Sequence, residues 1–132
     1  MEGRPLVLVV DDDEDCRVLA LKILELLDYS YVSASSGEKV VELSQLYQPS
    51  LVLLDIALPH TDGIEIVQRL KTDPTTATIP VVAVTARAMV GDRERGLSAG
   101  FDNYLTKPYG LDELTQIVEA YAACSLSRSL SY

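Results

Sequence analysis

Cysteine is scarce in this chain of 132 residues, which contains two of them, Cys16 and Cys124. They lie in different predicted helices and lack the close spacing of zinc ligands, which argues against both a disulfide framework and a zinc site. We therefore expect free thiols in a reducing compartment and a cytoplasmic protein. The N-terminal apolar run is too short for a signal-peptide core, and no apolar stretch is long enough to span a bilayer.

Basic residues are also in short supply, with 11 Lys and Arg against 20 Asp and Glu and a formal net charge of -9. Such a chain repels nucleic acid and anionic membranes, because both carry negative charge themselves. A divalent cation or a basic protein surface is the more natural partner. Much of the surface charge can equally serve solubility alone.

Internal repeats and low-complexity domains are absent, and the length fits one domain with a substantial hydrophobic core. Strand-like apolar runs cover 6–10, 29–34, 51–54, 80–84 and 102–105. Helical patterns cover 12–27, 36–48, 64–72, 86–100 and 111–121. In the first of them, an apolar face is expected from Val18, Leu21, Leu24 and the Leu26-Leu27 pair. The alternation of strands and helices predicts an α/β fold with a parallel sheet covered by helices on both faces. We expect a domain over residues 1–124 and a mobile, Ser-rich tail over 125–132.

The helical pattern is weakest over 86–100. This segment is densely charged, contains Gly91 and Gly96, and has few large apolar residues to anchor it. A movable element needs such marginal packing, although a solvated static helix has the same pattern.

Polar side chains follow four of the predicted strands at the point where each strand ends. They are Asp11, Asp12, Asp13, Asp55, Thr85 and Lys107. The carboxyl ends of parallel strands line one crevice, and ligands bind there. We therefore expect carboxylates, a hydroxyl and an amine to converge on one site.

Carboxylates gathered this closely repel one another unless a cation lies among them, and oxygen ligands with room for water suit Mg²⁺. An Asp nucleophile beside Mg²⁺, an ammonium and a hydroxyl forms a phosphoryl-transfer site. Taken singly, Lys107 is also compatible with an ordinary surface lysine and Thr85 with a strand residue. The acidic run is likewise compatible with a solvated helix cap. Four such positions at four strand ends favour the shared site.

Several short motifs carry a resemblance to a known family. They are Val9-Val10-Asp11-Asp12-Asp13-Glu14, Leu54-Asp55-Ile56-Ala57-Leu58-Pro59 with Asp62-Gly63, Val84-Thr85-Ala86, Ala99-Gly100-Phe101-Asp102-Asn103-Tyr104 and Leu105-Thr106-Lys107-Pro108. Together, over about residues 5–123, they resemble the receiver domain of two-component response regulators. The resemblance implies a flavodoxin-like, doubly wound (βα)5 fold with strand order 2-1-3-4-5.

The resemblance also implies a role for each carboxylate. Asp55 would accept a phosphoryl group from a histidine kinase or phosphotransfer protein in a Mg²⁺-dependent reaction. Asp12 would bind the Mg²⁺ directly, Asp11 would hold a metal-bound water, and Asp55 would be a ligand as well as the acceptor. The backbone carbonyl of Ala57 would complete the set of protein ligands. Beyond self-phosphorylation and autodephosphorylation, no conventional substrate turnover is expected.

The remaining motif residues would sense the phosphoryl group. Thr85 and Lys107 would contact its oxygens. Tyr104 would turn inward when Thr85 moves towards the phosphoryl group. The peptide bond between Lys107 and Pro108 would be cis, as in the family.

Phosphorylation adds about one to two negative charges at neutral pH. The predicted fourth helix, the fifth strand and the last helix would form the face that transmits this change to a downstream protein, whose identity stays open. Region 105–121, with exposed charge and Tyr109, is a candidate surface for homodimerisation.

Other functions stay open on the sequence alone. A haloacid-dehalogenase-like phosphatase also uses Asp and Mg²⁺, but it needs a second Asp where this chain has Ala57. A flavodoxin-like cofactor binder is disfavoured because no Gly-rich phosphate loop follows the first strand. A docking module that is never phosphorylated, and a receiver fragment of a hybrid histidine kinase, share the same features.

Overall fold

The computed structural model describes residues 5–56, 62–85, 100–107 and 109–123. In this part of the chain, five strands form one parallel sheet in the order β2-β1-β3-β4-β5. The strands are β1 (Leu6–Val10), β2 (Ser30–Ala34), β3 (Leu51–Asp55), β4 (Val81–Thr85) and β5 (Asn103–Thr106). The predicted strand order is confirmed, and each strand lies within one residue of its predicted bounds.

Helices connect the strands. They are α1 (Glu14–Leu26), α2 (Val40–Tyr47), α3 (Gly63–Thr72) and the C-terminal helix (Leu111–Val118). A 3-10 turn, Gly37–Lys39, leads into α2, and a π-helical turn, Glu119–Ala123, extends the C-terminal helix. No helix in the described residues is both long and apolar enough to cross a membrane. The predicted helix over 86–100, except for Gly100, and the predicted tail lie outside the described residues.

The start of α1 is set by an N-cap at Asp13. Its carboxylate accepts the backbone N–H groups of Asp15 at 3.0 Å and Cys16 at 3.3 Å. The Cys16 N–H in particular holds the pKa of Asp13 below its usual value. In the same way, the Asp62 carboxylate accepts the N–H of Ile64 at 3.0 Å and caps α3. Both helices therefore begin just beyond the carboxyl ends of β1 and β3.

Two buried clusters cover the two faces of the sheet. Val7 and Val9 of β1 belong to the cluster that includes α1 and the C-terminal helix. The alternate residues, Leu8 and Val10, belong to the cluster that includes α2 and α3. All five residues of β3 are buried, as expected for the central strand of a doubly covered parallel sheet.

The predicted apolar face of α1 is partly wrong. Val18 and Leu26 were expected to face the core, but they are 39% and 78% exposed. Ala20, Ile23 and Leu24 are the buried residues of this helix. At 100° per residue, position 18 then falls on the opposite side of the helix, and position 26 falls on the flank, about 110° from the centre of the buried face. Leucine occurs around most of α1, so spacing alone did not fix which side faces the sheet.

The expectation that Tyr109 lies on a dimerisation surface is also wrong. Its side chain is 7% exposed and packs in the cluster that contains Leu105 and Leu114. Burial, together with the negative charge of Asp11, raises the pKa of Tyr109 to about 12. Tyr109 is therefore a core residue next to the site.

An ion pair ties α3 to the amino ends of β4 and β5. The Lys71 ammonium donates to the Asp102 carboxylate at 2.9 Å and to the Ile79 carbonyl at 2.9 Å. The same carboxylate accepts the N–H of Val81 at 2.8 Å. These contacts lie at the end of the sheet opposite to the strand ends that carry the predicted site.

Candidate functional site

The structure places the predicted polar residues at one edge of the sheet. Asp11 directly follows β1, Asp55 ends β3, Thr85 ends β4, and Lys107 directly follows β5. The parallel register of β1, β3, β4 and β5 aligns these strand ends. The backbone therefore brings the residues that carry the carboxylates, the hydroxyl and the amine to the same crevice.

Lys107 is the centre of the site. Its Nζ lies 2.9 Å from Asp11 Oδ2 and 3.1 Å from Asp55 Oδ2. The three side chains are well shielded, since Lys107 is 14% exposed and the two carboxylates 5% and 6%. Burial alone would lower the pKa of Lys107, but the hydrogen bonds and charges of both carboxylates outweigh it and raise that pKa above its usual value. Lys107 is therefore a fixed cation between two acids.

Asp12 completes an acidic cluster with Asp11 and Asp55. Carboxylate oxygens of the three residues lie within 4.8 Å of one another, and Asp12 is the exposed member. Burial raises the pKa of Asp11, although the hydrogen bond from Lys107 opposes this shift. Three carboxylates and one ammonium leave excess negative charge, which a divalent cation can neutralise. The donor set is all oxygen and open to solvent on the Asp12 side, so it fits Mg²⁺. Ala57, whose carbonyl is the fourth predicted ligand, lies outside the described residues.

Backbone contacts hold the loop that carries Asp11 and Asp12. The Asp11 carboxylate accepts the N–H of Asp13 at 2.9 Å, and the Asp11 N–H donates to the carbonyl of Ala34 at 3.1 Å. Arg17 of α1 donates from its guanidinium to the Asp11 carbonyl at 2.9 Å. Arg17 is a site residue that was not predicted from the sequence. The available signal was its position as the first basic residue after the acidic run, four residues beyond the N-cap.

The two predicted switch residues lie on neighbouring strands. Thr85 is 3% exposed at the end of β4, and its carbonyl accepts the backbone N–H of Lys107 at 2.8 Å. Tyr104 on β5 is half-buried and packs against the cluster on the α2 and α3 face. The switch movement itself stays a prediction, and Pro108 lies outside the described residues.

We expect Asp11→Asn to raise the free energy of unfolding of the metal-free protein by about 1 kcal/mol at neutral pH. The pKa of Asp11 is raised in the folded state by burial, so its ionised form is disfavoured there. As pH falls through the folded pKa, the wild-type carboxyl takes up a proton and stability rises. The advantage of the variant should therefore shrink in mild acid.

Urea unfolding in a chelator, at neutral and at mildly acidic pH, measures this difference. Glu42→Gln on the exposed side of α2 removes the same charge outside the site. It should change stability by less than about 0.5 kcal/mol. A loss of stability in Asp11→Asn at neutral pH would contradict the expected cost of the buried charge.

Comparison with known proteins identifies the family. The sheet order and the acidic site at the carboxyl ends of the strands define the class of this chain: a parallel α/β domain with its site at the strand ends. The family model for the response regulator receiver domain matches residues 7–119. The chain is 35% identical over 115 residues to the polar-differentiation response regulator DivK of Brucella abortus (strain 2308), covering 87% of this chain and 94% of DivK. The chain belongs to the response regulator receiver domain family.

A longer relative gives the same result. The chain is 39% identical over 116 residues to the DNA-binding dual master transcriptional regulator RpaA of Synechocystis sp.. That match covers 88% of this chain and 48% of RpaA, so the chain spans about half the length of this relative.

A solved structure supplies a metal comparison. The receiver domain of the sensor histidine kinase PA1611 from Pseudomonas aeruginosa PAO1 has a magnesium ion coordinated in its active-site cleft. It superimposes with a TM-score of 0.83 at 28% identity, over 91% of this chain and 98% of that chain. Receiver domains bind Mg²⁺ in the active site, are phosphorylated on Asp in two-component signalling, and interact with histidine kinases or phosphotransfer proteins.

Proposed function

We propose that Asp55 accepts a phosphoryl group from a histidine kinase or a histidine phosphotransfer protein, in a reaction that depends on Mg²⁺. The main supporting observation is the position of Asp55. It is a buried carboxylate at the end of the central strand, 3.1 Å from the Lys107 ammonium and grouped with two further carboxylates. An acceptor needs a positioned oxygen and nearby positive charge to stabilise the transferred group.

Asp11, Asp12 and Asp55 would hold the Mg²⁺, with Asp11 acting through a bound water and with the Ala57 carbonyl as a further ligand. When bound, the ion neutralises charge on the phosphoryl oxygens. The excess negative charge of the acidic cluster supports this assignment. The comparison with the magnesium-containing receiver domain of PA1611 supports it as well.

In the transfer, an Asp55 oxygen would form a bond to phosphorus while the phosphorus–nitrogen bond of the donor phosphohistidine breaks. The released imidazole nitrogen keeps the bonding electron pair. Lys107 would contact a phosphoryl oxygen, and the Thr85 hydroxyl would donate a hydrogen bond to another. The backbone N–H of Lys107 donates to the backbone carbonyl of Thr85, so the two residues are neighbours in the sheet. This supports the view that both contact the same phosphoryl group.

The signal would pass from Thr85 to Tyr104, which lies two residues earlier in the register of the neighbouring strand. The output face would comprise β5, the C-terminal helix and the segment preceding β5, and its target is a downstream protein. If a homodimer forms through this face, Tyr109 is not part of its surface, because that side chain is buried.

Intact mass spectrometry after incubation with Mg²⁺ and phosphoramidate or acetyl phosphate tests the proposal. We expect the wild type to gain one phosphoryl group and Asp55→Asn to gain none while keeping its fold. A chelator should abolish the gain in the wild type. No gain with any donor would instead favour a docking module that is not phosphorylated, and steady turnover of phosphate esters would favour a phosphatase.

A further inference from the structure

Arg17 makes two contacts that flank Asp12. Its guanidinium Nη1 donates to the carbonyl of Asp11 at 2.9 Å, and its backbone N–H donates to the carbonyl of Asp13 at 2.9 Å. Asp12 is the single residue between these two carbonyls. The backbone bond belongs to the first turn of α1 and does not depend on the side chain, whereas the guanidinium contact is specific to Arg17 and adds an anchor on the other side of Asp12.

Asp12 needs such support more than the other two carboxylates of the cluster. Asp11 and Asp55 are buried and bonded to Lys107, whereas Asp12 is exposed on a loop. A loop side chain loses conformational entropy when it is held in a binding geometry, which weakens binding unless the backbone is already fixed. The guanidinium contact of Arg17 to the Asp11 carbonyl helps to fix that backbone in the metal-free protein.

Arg17 should have two opposing effects on Mg²⁺ affinity, one from its charge and one from its position. A guanidinium bonded to the Asp11 carbonyl lies near the cluster and repels a divalent cation, so its charge should weaken Mg²⁺ binding. Its geometry should strengthen binding, because outer residues that orient ligands commonly change metal affinity by about tenfold or more. The two effects differ in sign, so one substitution can separate them.

We propose that Arg17 is a positioning residue for the Mg²⁺ site, which holds the backbone around Asp12 so that its carboxylate stays grouped with those of Asp11 and Asp55. This role rests on the proposed function, in which the three carboxylates hold Mg²⁺. In this role, Arg17 itself would contact neither the cation nor the phosphoryl group.

Titration of the full chain with MgCl₂, followed by amide chemical shifts in the NMR spectrum, tests the role without any phosphoryl donor. Arg17→Met removes both the donor and the charge, and we expect Mg²⁺ binding about tenfold weaker than in the wild type. Arg17→Lys keeps a charged donor on a long side chain and should restore affinity to within about threefold. Lys22→Met removes the same charge from the exposed side of α1 and should leave affinity within about twofold.

The outcomes are distinct. Equal or tighter Mg²⁺ binding in Arg17→Met overturns the positioning role, because charge would then be its whole effect. A variant that loses thermal stability but keeps the wild-type Mg²⁺ affinity overturns it as well, since Arg17 would then only support the fold. If the wild type itself gives no saturable shift, the proposed Mg²⁺ site fails, and the role of Arg17 fails with it.

Discussion

Replacing Lys107 with methionine is expected to lower the free energy of unfolding of the metal-free protein by about 3 kcal/mol at neutral pH. The ammonium bridges Asp11 and Asp55, whose side chains are 5% and 6% exposed. Methionine matches the length of the lysine stem but supplies no charge, so two buried carboxylates lose the cation between them. Breaking a buried ion pair on one side is costly for this reason.

The pH dependence of this contribution follows from the raised pKa of Lys107. The folded-state pKa lies above the usual value of 10.5, so the contribution is complete below that pH. It is lost as pH rises through the folded value. In acid, Asp11 takes up a proton because its pKa is raised by burial, so the difference between variant and wild type should shrink there too.

Mg²⁺ should reverse part of the defect. In Lys107→Met, no ammonium competes for the oxygens of Asp11 and Asp55, so we expect the variant to bind Mg²⁺ more tightly than the wild type. A ligand present at a hundredfold excess over its Kd stabilises the folded state by about 2.7 kcal/mol. The stability gap between variant and wild type should therefore narrow as MgCl₂ is added.

Urea unfolding in a chelator and in MgCl₂ measures both effects. Lys71→Met is the matched control, because Lys71 pairs with Asp102 at 2.9 Å but with side chains 23% and 36% exposed. Breaking an exposed pair costs about 1 kcal/mol or less, and Mg²⁺ should not restore that loss. Equal losses for the two lysines, or a Lys107 defect that Mg²⁺ does not reduce, would contradict the view of Lys107 as a counter-charge shared by two buried acids.

Strand positions and the gathering of polar residues could be predicted from the sequence for a physical reason. A central strand such as β3 is apolar at nearly every position because both its faces are covered, so its start and end are visible in one dimension. Once the strands are parallel, Asp11, Asp55 and Lys107 must meet at their carboxyl ends. The strand order came from the resemblance to the receiver family, since hydrophobic patterns do not specify which strands are neighbours.

The wrong or missing predictions concern side chains whose position depends on the rotation of a helix or on the direction in which the side chain points. Leu26 is apolar but faces solvent, because the rotation of α1 is set by packing against the sheet. Tyr109 follows the site by two residues, yet its ring turns into the core beside Leu105. Arg17 contacts the Asp11 carbonyl across the first turn of α1. Its place as the first basic residue after the acidic run does not by itself indicate that its partner is a backbone carbonyl. Local spacing predicted which residues gather, and three-dimensional packing determined what supports them.

Gly63→Ala is expected to lower the free energy of unfolding by about 2 kcal/mol. Gly63 begins α3, and a Cβ built on it would lie 2.7 Å from the Cα of Ile56. Because the close atom belongs to the backbone, relief requires moving the chain directly after Asp55. In a helix without such a contact, alanine would stabilise relative to glycine by up to about 1 kcal/mol. The sign of the change therefore tests the contact.

Gly110→Ala is the matched control for this substitution. A Cβ at Gly110 would lie 3.2 Å from a carboxylate oxygen of Glu113, the end of a flexible side chain that can move away. We expect a change below about 1 kcal/mol there. Because Ile56 adjoins the acceptor, Gly63→Ala should also slow phosphoryl uptake by Asp55, measured by intact mass against time, while Gly110→Ala leaves the rate unchanged. A Gly63→Ala variant that is more stable than the wild type and is phosphorylated at the same rate would show that α3 can shift away without moving Asp55.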